Sequence, residues 1–117
     1  GQMRNLKFRK RETTKKIVVI IKDTGCAEYD DYYKKCRRRG DFDANVHFFV
    51  DSNGTIHNAR PDDCVGSWRY DDGEIAVHIM AQSDDGKLSN SQRHSLMPLL
   101  VYLTHKYPDA EVEERTD

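Results

Sequence analysis

A chain of 117 residues is long enough for one hydrophobic core and too short for two. With 37% hydrophobic and 33% charged residues it describes a small domain with a thin core and a well-solvated surface, and no apolar run approaches the ~18 residues that span a bilayer, which excludes a membrane partner. The net charge of −1 supplies no global field to draw in nucleic acid, which is excluded as a partner too.

Residues 1–10 read as a loosely ordered lead-in to one domain that fills residues 1–117. The basic, polar first sixteen residues hold no hydrophobic stretch of the kind a signal peptide needs, so the expectation for the chain as it stands is cytoplasmic. Gly1-Gln2 leaves open the earlier removal of an upstream segment. Cys26, Cys36 and Cys64 are odd in number and lack CxxC spacing, which favours reduced thiols over a disulfide framework or a zinc ribbon.

Five successive β-branched residues, Ile17 to Ile21, predict a strand covered on both faces, ended by Asp23-Thr24-Gly25. Cys26 to Arg39 predicts a helix. Tyr29, Tyr32, Tyr33 and Cys36 recur on one face, basic residues crowd its last turns, and Gly40 stops it. The run Lys34 to Arg39, offset by Asp30, Asp31, Asp41 and Asp43, reads as a solvated face. Val46 to Arg60 predicts a hairpin around Asn53-Gly54, because these residues tolerate the positive φ of a close turn and Arg60-Pro61 ends the pairing. In the loop Asp62 to Gly73, Trp68 either lines a groove or lids the core. Glu74 to Ala81 predicts a central strand, and Asp84 to Lys87 a turn. Ser89 to Tyr107 predicts a helix opened by a Ser89/Gln92 capping box, with Leu96, Leu99, Leu100 and Leu103 buried and a kink at Pro98. Ala110 to Glu113 closes the series as a short strand. The order strand, helix, hairpin, strand, helix, strand predicts a mixed β-sheet flanked by helices, α/β or α+β in class.

Five histidines, His47, His57, His78, His94 and His105, form no HExxH or HxH pair. His47 and His78 fall on strands that could be neighbours, but a metal there needs a third ligand. GxSxG, P-loop and GxGxxG patterns are absent. Residue chemistry alone therefore stops at an α/β domain without a recognisable catalytic motif.

The ordered segments resemble the zinc-dependent N-acetylmuramoyl-L-alanine amidases of the phage lysozyme type, whose fold is shared with peptidoglycan recognition proteins. The likeness runs from Arg11 to Asp117. Arg11-Glu12-Thr13-Thr14 before Ile17-Val18-Val19 is similar to the family's opening strand. Val46-His47-Phe48-Phe49-Val50 with Asn53-Gly54-Thr55-Ile56 and Arg60-Pro61 is similar to its Gly-Tyr-His-Phe hairpin and Asp-Gly-Thr-Ile turn. Gly66-Ser67, Ile75-Ala76-Val77, Asp85-Gly86-Lys87 and Tyr107-Pro108-Asp109-Ala110 are similar to later segments. The resemblance implies an amidase and recognition-protein-like fold and a peptidoglycan-related activity at the cell wall.

The departures fall on the chemistry. Ile20 stands where the resemblance places the first zinc histidine, Val46 where it places the catalytic tyrosine, Trp68 where it places a loop histidine, and Arg115 where it places the second zinc histidine. The third ligand, a cysteine or aspartate, is expected downstream of Asp117. A zinc hydrolase needs about three protein ligands and an open position for water. Isoleucine cannot ligate and a guanidinium repels a metal cation. The expectation is thus a catalytically inactive member with no catalytic residues, no metal site and no zinc cofactor. It would bind a peptidoglycan fragment or a protein partner through Trp68, Arg69, Tyr70, His47 and Arg115. An active amidase with a rearranged metal site, and a structural remnant without ligand, remain as alternatives.

Overall fold

The computed structural model describes residues 8–116. Its frame starts with β1 (Lys16–Lys22), whose five central residues are all buried, as a doubly covered strand requires. Then follow α1 (Tyr29–Arg38), β2 (Phe48–Val50), β3 (Ile56–Asn58), β4 (Ala76–Gln82), α2 (Asn90–Lys106) and β5 (Glu111–Thr116). One five-stranded sheet runs in the order β3-β2-β4-β1-β5. β1 pairs in parallel with β4 and β5, β2 pairs in parallel with β4, and β3 returns antiparallel at the edge. The mixed sheet with flanking helices is the expected architecture.

Alternation along the central strands splits the core in two. Ile17, Val19 and Ile21 with Val77, Ile79 and Ala81 face α2, meeting Leu96 and Leu103, with Leu99 and Leu100 packed at the margin. Val18, Ile20 and Met80 face α1, meeting Tyr32, Cys36, Val46 and Phe49. On α1, Tyr32 and Cys36 are the buried members of the expected stripe. The Ser89/Gln92 capping box forms, and the Gln92 amide also reaches the carbonyl oxygens of Asp51 (3.1 Å) and Gln82 (2.7 Å), so the cap ties α2 to two strand ends.

Besides β4, which starts at Ala76 rather than Glu74, three boundaries differ from expectation. α1 starts at Tyr29 rather than Cys26, because Asp23 and Thr24 bind the amides of Gly25 and Cys26 and hold a turn there. The hairpin strands are only three residues each, since Asp51 Oδ1 accepts from the amides of Asn53 and Thr55 (both 3.0 Å) and widens the turn. Gly54 takes φ +87° there, and a Cβ would lie 2.7 Å from the Ser91 carbonyl oxygen. β5 extends to Thr116, so Arg115 is inside the last strand rather than past it.

Of the lead-in, residues 8–10 are pinned against the 61–74 loop by a Lys10–Cys64 bridge and the Val65 N–H to Arg9 carbonyl bond (2.8 Å). Residues 1–7 and Asp117 lie outside the described residues. Among the described residues no helix is long and apolar enough to cross a membrane.

Candidate functional site

The parallel register brings two of the departing residues side by side. Ile20 on β1 is directly opposite Arg115 on β5 and Met80 on β4. Ile20 is 3% exposed and Val46 is 1% exposed within the same apolar cluster. Half of this centre is therefore apolar and closed in. The other half, toward β5, is charged.

Asp72 organises the charged half. Its carboxylate accepts from Arg115 and from His78 Nε2 (2.8 Å), with Lys16 Nζ at 3.4 Å. Arg115 also donates to Glu113 (2.6 Å), and Lys16 lies 3.7 Å from Glu113. Burial works to raise the Asp72 carboxyl, but the bonds from Arg115 and His78 outweigh it and hold the group well below the usual carboxylate range. Burial pushes His78 down against the opposing pull of Asp72, so its imidazole is neutral with the proton on Nε2. His78 Nδ1 is enclosed without a partner. The Tyr70 ring stacks on His78 at 4.2 Å, and a Cβ on Gly66 would approach Nδ1 at 3.1 Å.

His47 corrects an expectation. Counted among the ligand-binding residues, it is fully buried and does not face the groove. Its Nε2 donates to the Cys64 carbonyl (2.8 Å) and its Nδ1 accepts from the His78 backbone amide (3.0 Å). Both ring nitrogens are thus occupied by backbone, which fixes the neutral tautomer, and burial lowers the pKa to about 3. His47 and His78 are neighbours as expected, with rings 6.3 Å apart, but His47 has no lone pair left for a metal. Among the described residues no three His, Cys, Asp or Glu side chains form a group that could hold a metal ion.

Two adjoining cavities open beside this centre. One, of about 360 Å³, has Ile20 and Met80 in its floor and Tyr32, Asn45 and Tyr70 in its walls. Lys22, Lys35, Arg39 and Arg69 also line it. The second, of about 520 Å³, shares Asn45 and Tyr70 and is bordered by Trp68 and Phe42. Trp68 is 82% exposed, which decides between groove and core lid in favour of the groove. Arg69 sits over the Trp68 ring at 4.7 Å and donates to Asp41 (2.7 Å), which also takes Arg39 (3.2 Å) and so ties the 66–73 loop to the end of α1.

Of the expected ligand-binding residues, Arg69 lines the first cavity with Ile20, Trp68 borders the second and Tyr70 lines both, whereas Arg115 and His47 line neither. The sequence reading missed Asp72, Asn45, Lys35 and Arg39. Lys35 and Arg39 carried a signal, since their i,i+4 spacing puts both on one helix face. Asp72 and Asn45 carried none.

No family model matches the chain. It is 31% identical over 121 residues to the endolysin of Escherichia phage T7, covering 92% of this chain and 78% of that one. It is 30% identical over 128 residues to the endolysin of Enterobacteria phage T3, covering 98% and 83%. Among solved structures, the N-acetylmuramoyl-L-alanine amidase LysC from Clostridium intestinale superposes with a TM-score of 0.74 at 22% identity, over 87% of this chain and 70% of that one. The recognition protein PGRP-Hd from Alvinella pompejana gives 0.75 at 15% identity, over 95% and 78%. With endolysin likeness along nearly its whole length, the chain belongs to the family of the phage T7 and T3 endolysins, and its fold is that of the N-acetylmuramoyl-L-alanine amidases and peptidoglycan recognition proteins.

Proposed function

We propose that this chain binds peptidoglycan fragments without hydrolysing them. The observation that carries the reading is the Ile20–Arg115 pair. Both zinc-histidine positions of the resemblance lie next to each other across β1 and β5, one filled by a buried isoleucine and the other by an ion-paired arginine. These residues do not fit a zinc ion: one has no lone pair, and the other repels a cation. Asp72, the nearby carboxylate, is already taken by Arg115, His78 and Lys16. The two adjoining cavities are open, one lined by Arg69 and Tyr70 and the other by Trp68 and Tyr70, side-chain types that dominate recognition surfaces.

Purified cell-wall sacculi separate the outcomes. The expected result is co-sedimentation of the protein with sacculi, no release of soluble fragments, and no stoichiometric zinc by elemental analysis. The endolysin names of the relatives favour a second reading, an active amidase with a rearranged metal site. Zinc-dependent clearing of sacculi would establish it. Failure to sediment at all would favour a protein partner or a structural remnant.

A further inference from the structure

We infer that the cavity above Ile20 is an anion site, built to take a carboxylate or phosphate group. It concerns the groove of the peptidoglycan reading, but stands on the charges and donors alone.

The lining is one-sided. Lys22, Lys35, Arg39 and Arg69 line the cavity and no carboxylate does. The counter-charge at hand is Asp41, shared by Arg39 and Arg69. Even with Lys22 set aside and with Asp23, which feels Lys35, counted beside Asp41, Lys35, Arg39 and Arg69 leave a surplus of one positive charge. Half-enclosed surplus charge over an apolar floor of Ile20 and Met80 is screened less than charge in open water, so it attracts an anion more strongly.

The donors are also held in place. Lys35 Nζ is fixed by the Thr24 carbonyl at 2.6 Å, a bond to a neutral acceptor that leaves two N–H groups spare, with the Asp23 carboxylate near enough to feel its charge. Arg39 spends Nε on Asp41, which leaves its terminal amino groups for a ligand. Asn45 is 5% exposed, and its Oδ1 accepts from the Tyr32 hydroxyl, so its amide NH2 is a donor in the cavity lining. Guanidinium and ammonium groups beside an amide donor match the oxygens of a carboxylate or phosphate. Beside the position where the resemblance puts a metal cation, this chain puts cations of its own. The sign of the ligand follows.

The test is amide chemical-shift mapping on the full chain at constant ionic strength. The probes are inorganic phosphate, the acidic stem peptide of peptidoglycan without sugar, and an uncharged N-acetylglucosamine oligomer. Phosphate and peptide are expected to shift Thr24, Lys35 and Asn45 and to compete with each other, while the sugar leaves those residues unmoved. Lys35→Gln and Arg69→Gln are each expected to weaken phosphate binding at least about fivefold, with added salt weakening it further. Should one variant misfold, the other carries the test. Shifts spread over Arg37 and Arg38 instead, undiminished by either folded variant, would overturn the site, as would no shift at all. If phosphate shifts those residues but the peptide does not, the site stands as a phosphate site. If an intact glycan–peptide fragment moves Trp68 while phosphate and peptide leave Thr24 and Asn45 still, the anion site falls and the peptidoglycan reading survives. If phosphate binds and the intact fragment does not, the reverse holds.

Discussion

Acid should unfold this protein early, and the cause is its two enclosed histidines. His47 and His78 are both fully buried and both held neutral. Protonating His47 puts a hydrogen on Nδ1, which already accepts from the His78 amide at 3.0 Å. In the unfolded chain each imidazole titrates near its ordinary ~6.5. Below that pH the unfolded state binds more protons than the folded one, so stability falls as pH falls, by up to ~1.4 kcal/mol per pH unit for each histidine. Integrated from pH 7.5 to pH 5, that is about 2 kcal/mol for His47, and His78 adds a loss of the same sign, reduced by the opposing pull of Asp72. A small domain holds only ~5–15 kcal/mol in total. The window stays above the range where carboxylates such as Asp72, held low, contribute a further loss. The assay is urea unfolding at pH 7.5, 6.5, 5.5 and 5, followed by far-ultraviolet circular dichroism because Trp68 is too exposed to report on the core. His47→Gln should flatten the pH slope, whatever it does to the total. A wild-type stability that changes by less than about 1 kcal/mol across this range would refute the buried neutral pair.

Ile20→His should cost roughly 1–3 kcal/mol, from lost apolar burial and an imidazole placed beside Arg115, and should not confer stoichiometric zinc; an unfolding free energy equal to wild type would show that the β1 side chain is not part of the core. Asp72→Ala should cost about 2–3 kcal/mol in chemical denaturation, because it strands the buried His78 N–H, while Arg115 keeps Glu113. Gly54→Ala should cost more than about 1 kcal/mol, since it combines φ +87° with a Cβ only 2.7 Å from Ser91 oxygen; a thermal melt unchanged from wild type would count against that approach of turn and helix. Trp68→Ala should leave stability within about 0.5 kcal/mol, and acrylamide should quench the native tryptophan almost as freely as in the unfolded chain.

Local chemistry determined much of this protein. The β-branched run Ile17 to Ile21 could only be a doubly covered strand, Asn53-Gly54 could only be a turn, and Ser89 with Gln92 announced the start of α2. Each rests on residues a few positions apart, where side-chain branching, permitted φ and capping bonds act directly on the backbone. The resemblance then placed Ile20 and Arg115 at related positions, but only the parallel β1–β5 register made them neighbours. His47 looked like a groove residue because type and spacing say nothing of depth; the Cys64 carbonyl and the His78 amide, 17 and 31 residues away along the chain, decided that it is a buried clip. Asp72 was an unremarked residue of the 62–73 loop until the fold carried Arg115 to it across 43 residues. Lys35 and Arg39 looked like a solvated helix face, and became part of a cationic groove when α1 docked beside the 66–73 loop. Polar side chains find their partners through juxtaposition of distant segments, and no periodicity in the chain encodes that; the hydrophobic alternation encodes only which face of the sheet they will meet on.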